Sequence, residues 1–130
     1  MSGSPPTAPG PEPGRRVLVI DDNEDAAESL RVMLQLHGHA VEVALSGADG
    51  LETARRFLPE VVLCDLGLPQ LDGLAVAEAM RADPELRGAR LIAITGYGGP
   101  EDVERALRAG FDTHLTKPAD PVRLLELVAA

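Results

Sequence analysis

Short, continuous apolar runs recur along the chain and alternate with segments of helical periodicity. The three most apolar runs are rich in β-branched residues and cover Val17–Ile20, Val61–Cys64 and Leu91–Ile94. Continuous apolar runs of this length are typical of strands that are buried on both faces of a parallel sheet. Two more polar segments, Ala40–Ala44 and Asp112–Thr116, predict strands at the sheet edges, where one side is exposed.

Capping residues and apolar spacing predict five helices in the gaps between these strands. The helices are expected over Glu24–His37, from Ser46 to about Leu58, from Leu74 to about Ala82, from Pro100 to Gly110, and from Asp120 onward. Gly38 and Gly110 suit the left-handed conformation that ends helices. Pro100 and Pro121 suit the first helical turn. Each predicted strand is therefore followed by a helix.

Five successive β-α units predict an α/β fold, flavodoxin-like and doubly wound, around a parallel five-stranded sheet. Three buried strands and two polar edge strands fit the strand order 2-1-3-4-5. In that order the chain connections change direction between the first and third strands. Ligands of such folds bind at this point, beyond the carboxyl ends of the strands.

Composition divides the chain into two parts and excludes several classes of function. Residues 1–14 are rich in proline and glycine and predict a flexible linker or tail, whereas residues 15–130 predict one domain. The net charge of −9 argues against a direct nucleic-acid partner. The only cysteine, Cys64, excludes an internal disulfide, and no apolar run is long enough to span a membrane. We therefore expect a soluble cytoplasmic protein.

Three carboxylates are predicted to meet at the switch point of the sheet. Asp21 and Asp22 directly follow the first strand, and Asp65 ends the third. Two such charges 4 Å apart repel by about 4 kcal/mol at an effective dielectric of 20, so either the pKa values of the acids rise strongly or a cation is bound. Hard oxygen ligands favour Mg²⁺. The alternative is that Asp22 or Asn23 only caps the following helix, which would explain one acid but not three.

Two further polar side chains are predicted at the same edge of the sheet. Lys117 follows the fifth strand, and its ammonium group could balance the acids and contact a phosphoryl oxygen. Thr95 ends the fourth strand and would place a hydroxyl there. A local hydrogen bond of a strand-terminal threonine is the alternative for Thr95.

Four motifs in this order carry a family resemblance. They are VLVIDDN (Val17–Asn23), VVLCDLGLPQLDG (Val61–Gly73), IAITG (Ile92–Gly96) and AGFDTHLTKP (Ala109–Pro118). From Arg16 to the C-terminus the chain resembles the receiver domain of two-component response regulators. The residues in and around the last two motifs are most similar to those of receivers attached to hybrid sensor histidine kinases.

The resemblance implies a phosphorelay site. Asp65 would accept a phosphoryl group from a histidine kinase or a histidine phosphotransfer protein. Asp22, Asp65 and the carbonyl of Gly67 would ligate Mg²⁺ directly, and Asp21 chiefly through water. Thr95 and Lys117 would contact the phosphoryl oxygens, with a cis Lys117–Pro118 bond. Such a domain catalyses only its own phosphorylation and dephosphorylation and is otherwise no enzyme.

The resemblance leaves the later steps of signalling open. His114 occupies the position at which the family often has a tyrosine or phenylalanine that acts as a switch, and an ordinary edge-strand role is equally compatible. Tyr97 could shield the phosphoryl group or be a plain loop residue. The fourth helix, fifth strand and fifth helix could form a surface for an effector or a weak homodimer.

Two other classes of function fit the sequence less well. A Mg²⁺-dependent phosphohydrolase with an aspartyl nucleophile usually carries D-x-D after its first strand and a cap domain, whereas Asp21 and Asp22 are adjacent and no cap is visible. A flavodoxin-like cofactor binder would need a phosphate-binding loop there, and the two acids would repel phosphate. The sequence therefore favours the signalling switch.

Overall fold

The computed structural model describes residues 14–68, 72–96 and 99–130. Except for Gly14, the predicted linker or tail over residues 1–14 lies outside the described residues, as do residues 69–71 and 97–98, which include Tyr97. Within the described parts, strands and helices alternate as the sequence predicts.

The five strands form one parallel sheet. They are β1 (Arg16–Ile20), β2 (Ala40–Ala44), β3 (Val61–Asp65), β4 (Arg90–Thr95) and β5 (Thr113–Thr116). Their order is β2-β1-β3-β4-β5, and every neighbouring pair is parallel. The predicted fold class, strand order and edge strands are therefore confirmed. The connections change direction between β1 and β3, where the sequence predicts the site.

The five helices begin and end close to the predicted positions. They are α1 (Glu24–Leu36), α2 (Gly47–Phe57), α3 (Gly73–Ala82), α4 (Pro100–Ala109) and α5 (Pro121–Ala129). The predicted N-caps Ser46 and Asp120 accept backbone hydrogen bonds, and Gly110 ends α4 at φ 120°. Within the described residues, no helix is both long enough and apolar enough to cross a membrane.

Helices cover both faces of the sheet. Because successive strand residues point to opposite faces, β1 sends Val17 and Val19 to one core and Leu18 and Ile20 to the other. The first core also contains apolar residues of α1 and α5, and the second contains residues of α2, α3 and α4. Cys64 lies fully buried in the second core. The central strands thus need apolar residues at nearly every position, which explains their continuous pattern.

A single guanidinium group joins three segments at the amino end of the sheet. Arg81, in the last turn of α3, donates to the carbonyl oxygens of Arg87, Ala89 and Gly110 at 2.7, 2.7 and 2.9 Å. It also donates to the Asp112 carboxylate at 2.9 Å. These bonds connect the end of α3 to the strand entries of β4 and β5. The sequence pattern alone did not single out this residue.

Candidate functional site

Polar residues from four strands meet at the carboxyl edge of the sheet. Asp21 directly follows β1, Asp65 is the last residue of β3, and Thr95 is the last residue of β4. These three residues are buried, with 3%, 7% and 4% of their surface exposed. Lys117 directly follows β5, and its backbone N–H donates to the Thr95 carbonyl at 2.7 Å. The fold therefore brings together the residues that the sequence pattern singled out.

The three acidic residues form a compact cluster of oxygen ligands. One ligand oxygen from each of Asp21, Asp22 and Asp65 lies within 4.8 Å of the other two. Asp21 and Asp65 are buried, whereas Asp22 is exposed. The donor set consists of carboxylates only, which suits a hard divalent cation that retains water ligands. The cluster therefore fits the metal that the sequence predicts.

Lys117 supplies a positive charge at this cluster. Its Nζ atom lies 3.0 Å from Asp65 Oδ2 and 3.9 Å from Asp21 Oδ2. Burial alone would lower the pKa of Lys117, but the hydrogen bond to Asp65 and the surrounding carboxylate charges outweigh burial and raise it. Lys117 is thus held as an ammonium ion. The Lys117–Pro118 peptide bond is cis, as the resemblance implies.

Both carboxylate oxygens of Asp65 are held by hydrogen bonds. Oδ2 accepts from Lys117 at 3.0 Å, and Oδ1 accepts from the backbone N–H of Gly67 at 2.8 Å. Two fixed donors on opposite oxygens restrict rotation of the carboxylate and orient it in the site. Sequence reasoning considered only the carbonyl of Gly67 and missed this N–H. The Asp-x-Gly spacing is the signal that could have indicated it.

Asp21 is the most deeply buried acid of the cluster. Its Oδ1 accepts the backbone N–H of Asn23 at 2.9 Å. Burial raises the pKa of Asp21, and the charges of Asp65 and Asp22 act in the same direction, whereas the bond from Asn23 and the charge of Lys117 oppose them. A bound divalent cation would favour the charged form of Asp21 and so oppose the effect of burial.

Helix capping accounts for a neighbour of the cluster rather than for the cluster itself. Asn23 is the N-cap of α1, and its side chain accepts the N–H of Ala26 at 3.0 Å. Among the described residues, no hydrogen bond ties the exposed Asp22 side chain to this helix. The alternative that Asp22 only caps a helix therefore lacks support in the structure.

Thr95 carries a buried hydroxyl group without a partner. Among the described residues, Thr95 Oγ1 is the one buried side-chain oxygen or nitrogen that makes no hydrogen bond. A buried hydroxyl in this state is costly, and such groups commonly mark functional positions. The structure therefore does not support the alternative that the Thr95 hydroxyl makes only a local hydrogen bond. The group is free to bond to an oxygen that arrives at the site.

A glycine allows α3 to begin directly against the backbone of Asp65. A Cβ atom on Gly73 would lie 2.8 Å from the Asp65 carbonyl oxygen and 2.9 Å from Leu66 Cα. Such contacts are too short for any other residue without a backbone shift. Asp72, directly before it, is the N-cap of α3 and accepts the Ala75 N–H at 2.9 Å. In the sequence this pair only ends the second motif, and the pattern does not indicate the close packing.

His114 lies in β5 and is half-buried. Its strand lies at the edge of the sheet, as the sequence predicts, and its role as a switch stays a prediction. Tyr97 lies outside the described residues, so its proposed shielding role also stays a prediction.

Comparisons with known proteins agree with this geometry. A sequence model described as the response regulator receiver domain matches residues 17–129. The chain is 38% identical over 112 residues to an uncharacterised 14.6 kDa protein of Leptolyngbya boryana, covering 86% of each chain. It is 30% identical over 114 residues to the polar-differentiation response regulator DivK of Brucella ovis, covering 88% of this chain and 93% of DivK.

A solved structure supports the same assignment. A putative response regulator from Chloroflexus aurantiacus superposes with a TM-score of 0.83 at 29% identity, covering 88% of this chain and 94% of that one. The matched family model spans nearly all described residues, including all five strands except the first residue of β1. The chain belongs to the response regulator receiver domain family.

Proposed function

We propose that Asp65 is the residue at which this receiver domain, a phosphorylatable switch of a two-component phosphorelay, accepts its phosphoryl group. The observation that carries the proposal is the arrangement around Asp65. Its carboxylate is held on one oxygen by the Gly67 N–H and on the other by Lys117, and it lies among Asp21 and Asp22. Among the described residues, no other carboxylate ends a strand in such a cluster.

The proposed reaction is nucleophilic attack by a carboxylate on phosphorus. One oxygen of Asp65 forms a bond to phosphorus while the bond from phosphorus to the imidazole nitrogen of the donor breaks. The donor nitrogen keeps the electron pair. The donor is a phosphohistidine of a histidine kinase or a histidine phosphotransfer protein. Because phosphoryl transfer depends mainly on positioning and on charge stabilisation, the two hydrogen bonds that hold Asp65 favour the reaction.

We propose that Mg²⁺ is held by Asp22, Asp65 and the Gly67 carbonyl, and by Asp21 chiefly through water. When bound, the ion supplies positive charge to the phosphoryl oxygens. The carboxylate-only donor set supports the choice of a hard cation. The raised pKa of Asp21 means that the folded protein disfavours its negative charge, and a bound cation would offset this charge.

Lys117 and Thr95 are proposed to bind the phosphoryl group from two sides. The Lys117 ammonium can move from Asp65 Oδ2, 3.0 Å away, to a phosphoryl oxygen as negative charge accumulates there. The unpartnered hydroxyl of Thr95 can donate to another oxygen. Phosphorylation adds roughly −1.5 to −2 charge, which gives both groups a stronger acceptor than they have before the reaction.

The output of the switch is proposed to pass through α4, β5 and α5. Leu107 of α4 and Val122 of α5 are exposed by 50% and 64%, which supports a surface for an effector or a weak homodimer. A switch role for His114 belongs to the same proposal, as does a linker function for residues 1–14.

We also propose a cytoplasmic location, because Cys64 is a buried free thiol that needs no oxidising compartment.

Incubation with acetyl phosphate and MgCl₂, followed by intact mass measurement, tests the proposal. We expect one alkali-labile phosphoryl group on the wild type and none on Asp65→Asn. Asp49→Asn, an exposed acid in α2, is the matched control and should be labelled like the wild type. Equal labelling of Asp65→Asn would refute the assignment. Sustained turnover of small phosphate esters would instead indicate a phosphohydrolase.

A further inference from the structure

A cavity of about 310 Å³ lies beside the phosphorylation site. Its wall includes Gly67, whose N–H is bonded to Asp65, and Thr95 with its unpartnered hydroxyl. Asp102 and Arg105 of α4 also line the cavity. Cavities of this size accept small molecules. The cavity therefore offers a place next to Gly67 and Thr95 for part of a small phosphoryl donor.

Arg105 is the one basic side chain in the described wall of this cavity. Its Nη2 atom lies 2.6 Å from Asp102 Oδ1, and 62% of the Arg105 side chain is exposed. A guanidinium group has five N–H donors, and this ion pair occupies only part of them. The remaining donors are available to an anion that enters the cavity.

The negative charges near Asp65 disfavour the approach of an anionic donor, and the positive charge of Arg105 would offset part of this repulsion. The cluster contains three carboxylates and one ammonium group, so a donor that carries negative charge approaches an acidic region. A bound divalent cation offsets part of this charge on the side of Asp22. Arg105 lines the same cavity as Thr95 and Gly67, so its charge can act on a donor that occupies this cavity.

A second arginine on the same helix provides a comparison. Arg108 forms an ion pair with Glu104 at 2.8 Å and is 71% exposed, much like Arg105 with Asp102. Arg108 does not line the cavity. The two pairs therefore differ mainly in what they face.

We propose that Arg105 is a specificity-determining residue that favours anionic small-molecule phosphoryl donors, and that Asp102 restrains it. The inference rests on the proposed phosphorylation of Asp65. The ligand class is the acyl phosphates, whose dianionic phosphoryl group and acyl oxygen both suit a guanidinium fork. Asp102 competes with the donor for this fork, so the ion pair weakens recognition until the donor displaces it.

The test compares initial rates of Asp65 labelling by two donors at subsaturating concentration. Acetyl phosphate is dianionic near pH 7.5, whereas phosphoramidate is monoanionic. We expect Arg105→Gln to lower the rate with acetyl phosphate about three- to tenfold and the rate with phosphoramidate less than about twofold. The loss should appear in the concentration for half-maximal rate rather than in the maximal rate, because Arg105 acts on binding of the donor.

Two further variants complete the experiment. Arg108→Gln removes the same charge from the same helix and should leave both rates close to wild type. Asp102→Asn frees the guanidinium and should raise the rate with acetyl phosphate. All three side chains are partly or largely exposed, so folding should be unaffected, which a thermal melt checks.

The outcomes separate this inference from the proposed function. Equal effects of Arg105→Gln and Arg108→Gln, or equal effects on the two donors, would overturn the role of Arg105 while leaving Asp65 as the acceptor. No labelling of the wild type by either donor would overturn the proposed function itself.

Discussion

Replacing Asp21 by asparagine removes one charge from the carboxylate cluster while it keeps the shape of the side chain. The asparagine oxygen can still accept the Asn23 N–H that Asp21 accepts at 2.9 Å. Lys117 keeps its stronger partner, Asp65, at 3.0 Å. The substitution therefore tests the cost of the charge alone. We expect Asp21→Asn to stabilise the protein in the absence of divalent cations.

The magnitude follows from the charges around Asp21. At an effective dielectric of about 20, Asp65 at up to 4.8 Å repels it by about 3.5 kcal/mol, and Lys117 at 3.9 Å attracts it by about 4 kcal/mol. These two interactions nearly cancel. Burial of the carboxylate and the solvent-screened repulsion by Asp22 remain. We therefore expect the free energy of unfolding to rise by about 1–2 kcal/mol in the variant.

The pH dependence has a definite sign. The folded protein raises the pKa of Asp21, mainly by burial. An acid of this kind stabilises the folded state below its ordinary pKa and loses that contribution as the pH rises through the folded pKa. Above the folded pKa, Asp21 is charged and the wild type bears the full free-energy cost of burying that charge. The advantage of Asp21→Asn should thus be largest near neutrality and vanish in acid.

Urea denaturation at pH 7.5, with EDTA or with MgCl₂, measures both parts of this prediction. A ligand at tenfold its dissociation constant stabilises the folded state by about 1.4 kcal/mol, and the wild type should show a gain of this order with Mg²⁺. Asp21→Asn should gain less. Asp22→Asn, at an exposed position, is the control and should change the EDTA value by less than about 0.5 kcal/mol. A variant Asp21→Asn that is less stable than the wild type in EDTA would refute the reasoning.

Three further substitutions test other parts of the structure. Gly73→Ala places a methyl group 2.8 Å from the Asp65 carbonyl oxygen. We expect the free energy of unfolding to fall by about 1–3 kcal/mol and the labelling of Asp65 to slow. Unchanged values would contradict the close packing. Arg81→Met removes four hydrogen bonds and should lower the free energy of unfolding by about 2–4 kcal/mol, while the folded fraction is still labelled at Asp65. An unchanged free energy of unfolding would show that water replaces the guanidinium. Burial, followed by the nearby positive charges of His37 and Arg15, lowers the pKa of His39. The neutral imidazole therefore stabilises the folded state above the ordinary pKa of histidine, and this stabilisation is lost as the pH falls through the folded pKa. Stability should therefore fall between pH 7.5 and 5.5 more steeply in the wild type than in His39→Gln, and equal slopes would rule this out.

The sequence was sufficient to predict the sheet and the gathering of the polar residues. The continuous runs around Val19, Leu63 and Ile92 can be satisfied only by strands that are buried on both faces, and all three are central in the sheet. Once the strand order is known, the ends of β1 and β3 must be neighbours. Asp21 and Asp65 then meet without any information about side chains.

Features that depend on contacts distant in sequence could not be read in this way. Arg81 bonds to Gly110 and Asp112, 29 and 31 residues away, and no local pattern records such a partner. Asp102 and Arg105 look like an ordinary surface pair at helical spacing, and only the position of α4 gives them a cavity to face. Helix ends differ by a residue or two, because capping residues such as His37 satisfy helical bonds without belonging to the helix.

The bonds of Arg81 have a consequence for how substitutions in this protein would be interpreted. A screen that scores only signalling in cells would find Arg81 and Asp65 similarly intolerant, since loss of either removes active protein. The two residues lie at opposite ends of the sheet and fail for different reasons. Arg81 variants should be rescued by lower temperature or by a stabilising change away from the acidic cluster, whereas Asp65 variants should not. Intolerance at the amino end of the sheet therefore indicates a requirement for folding rather than a second site.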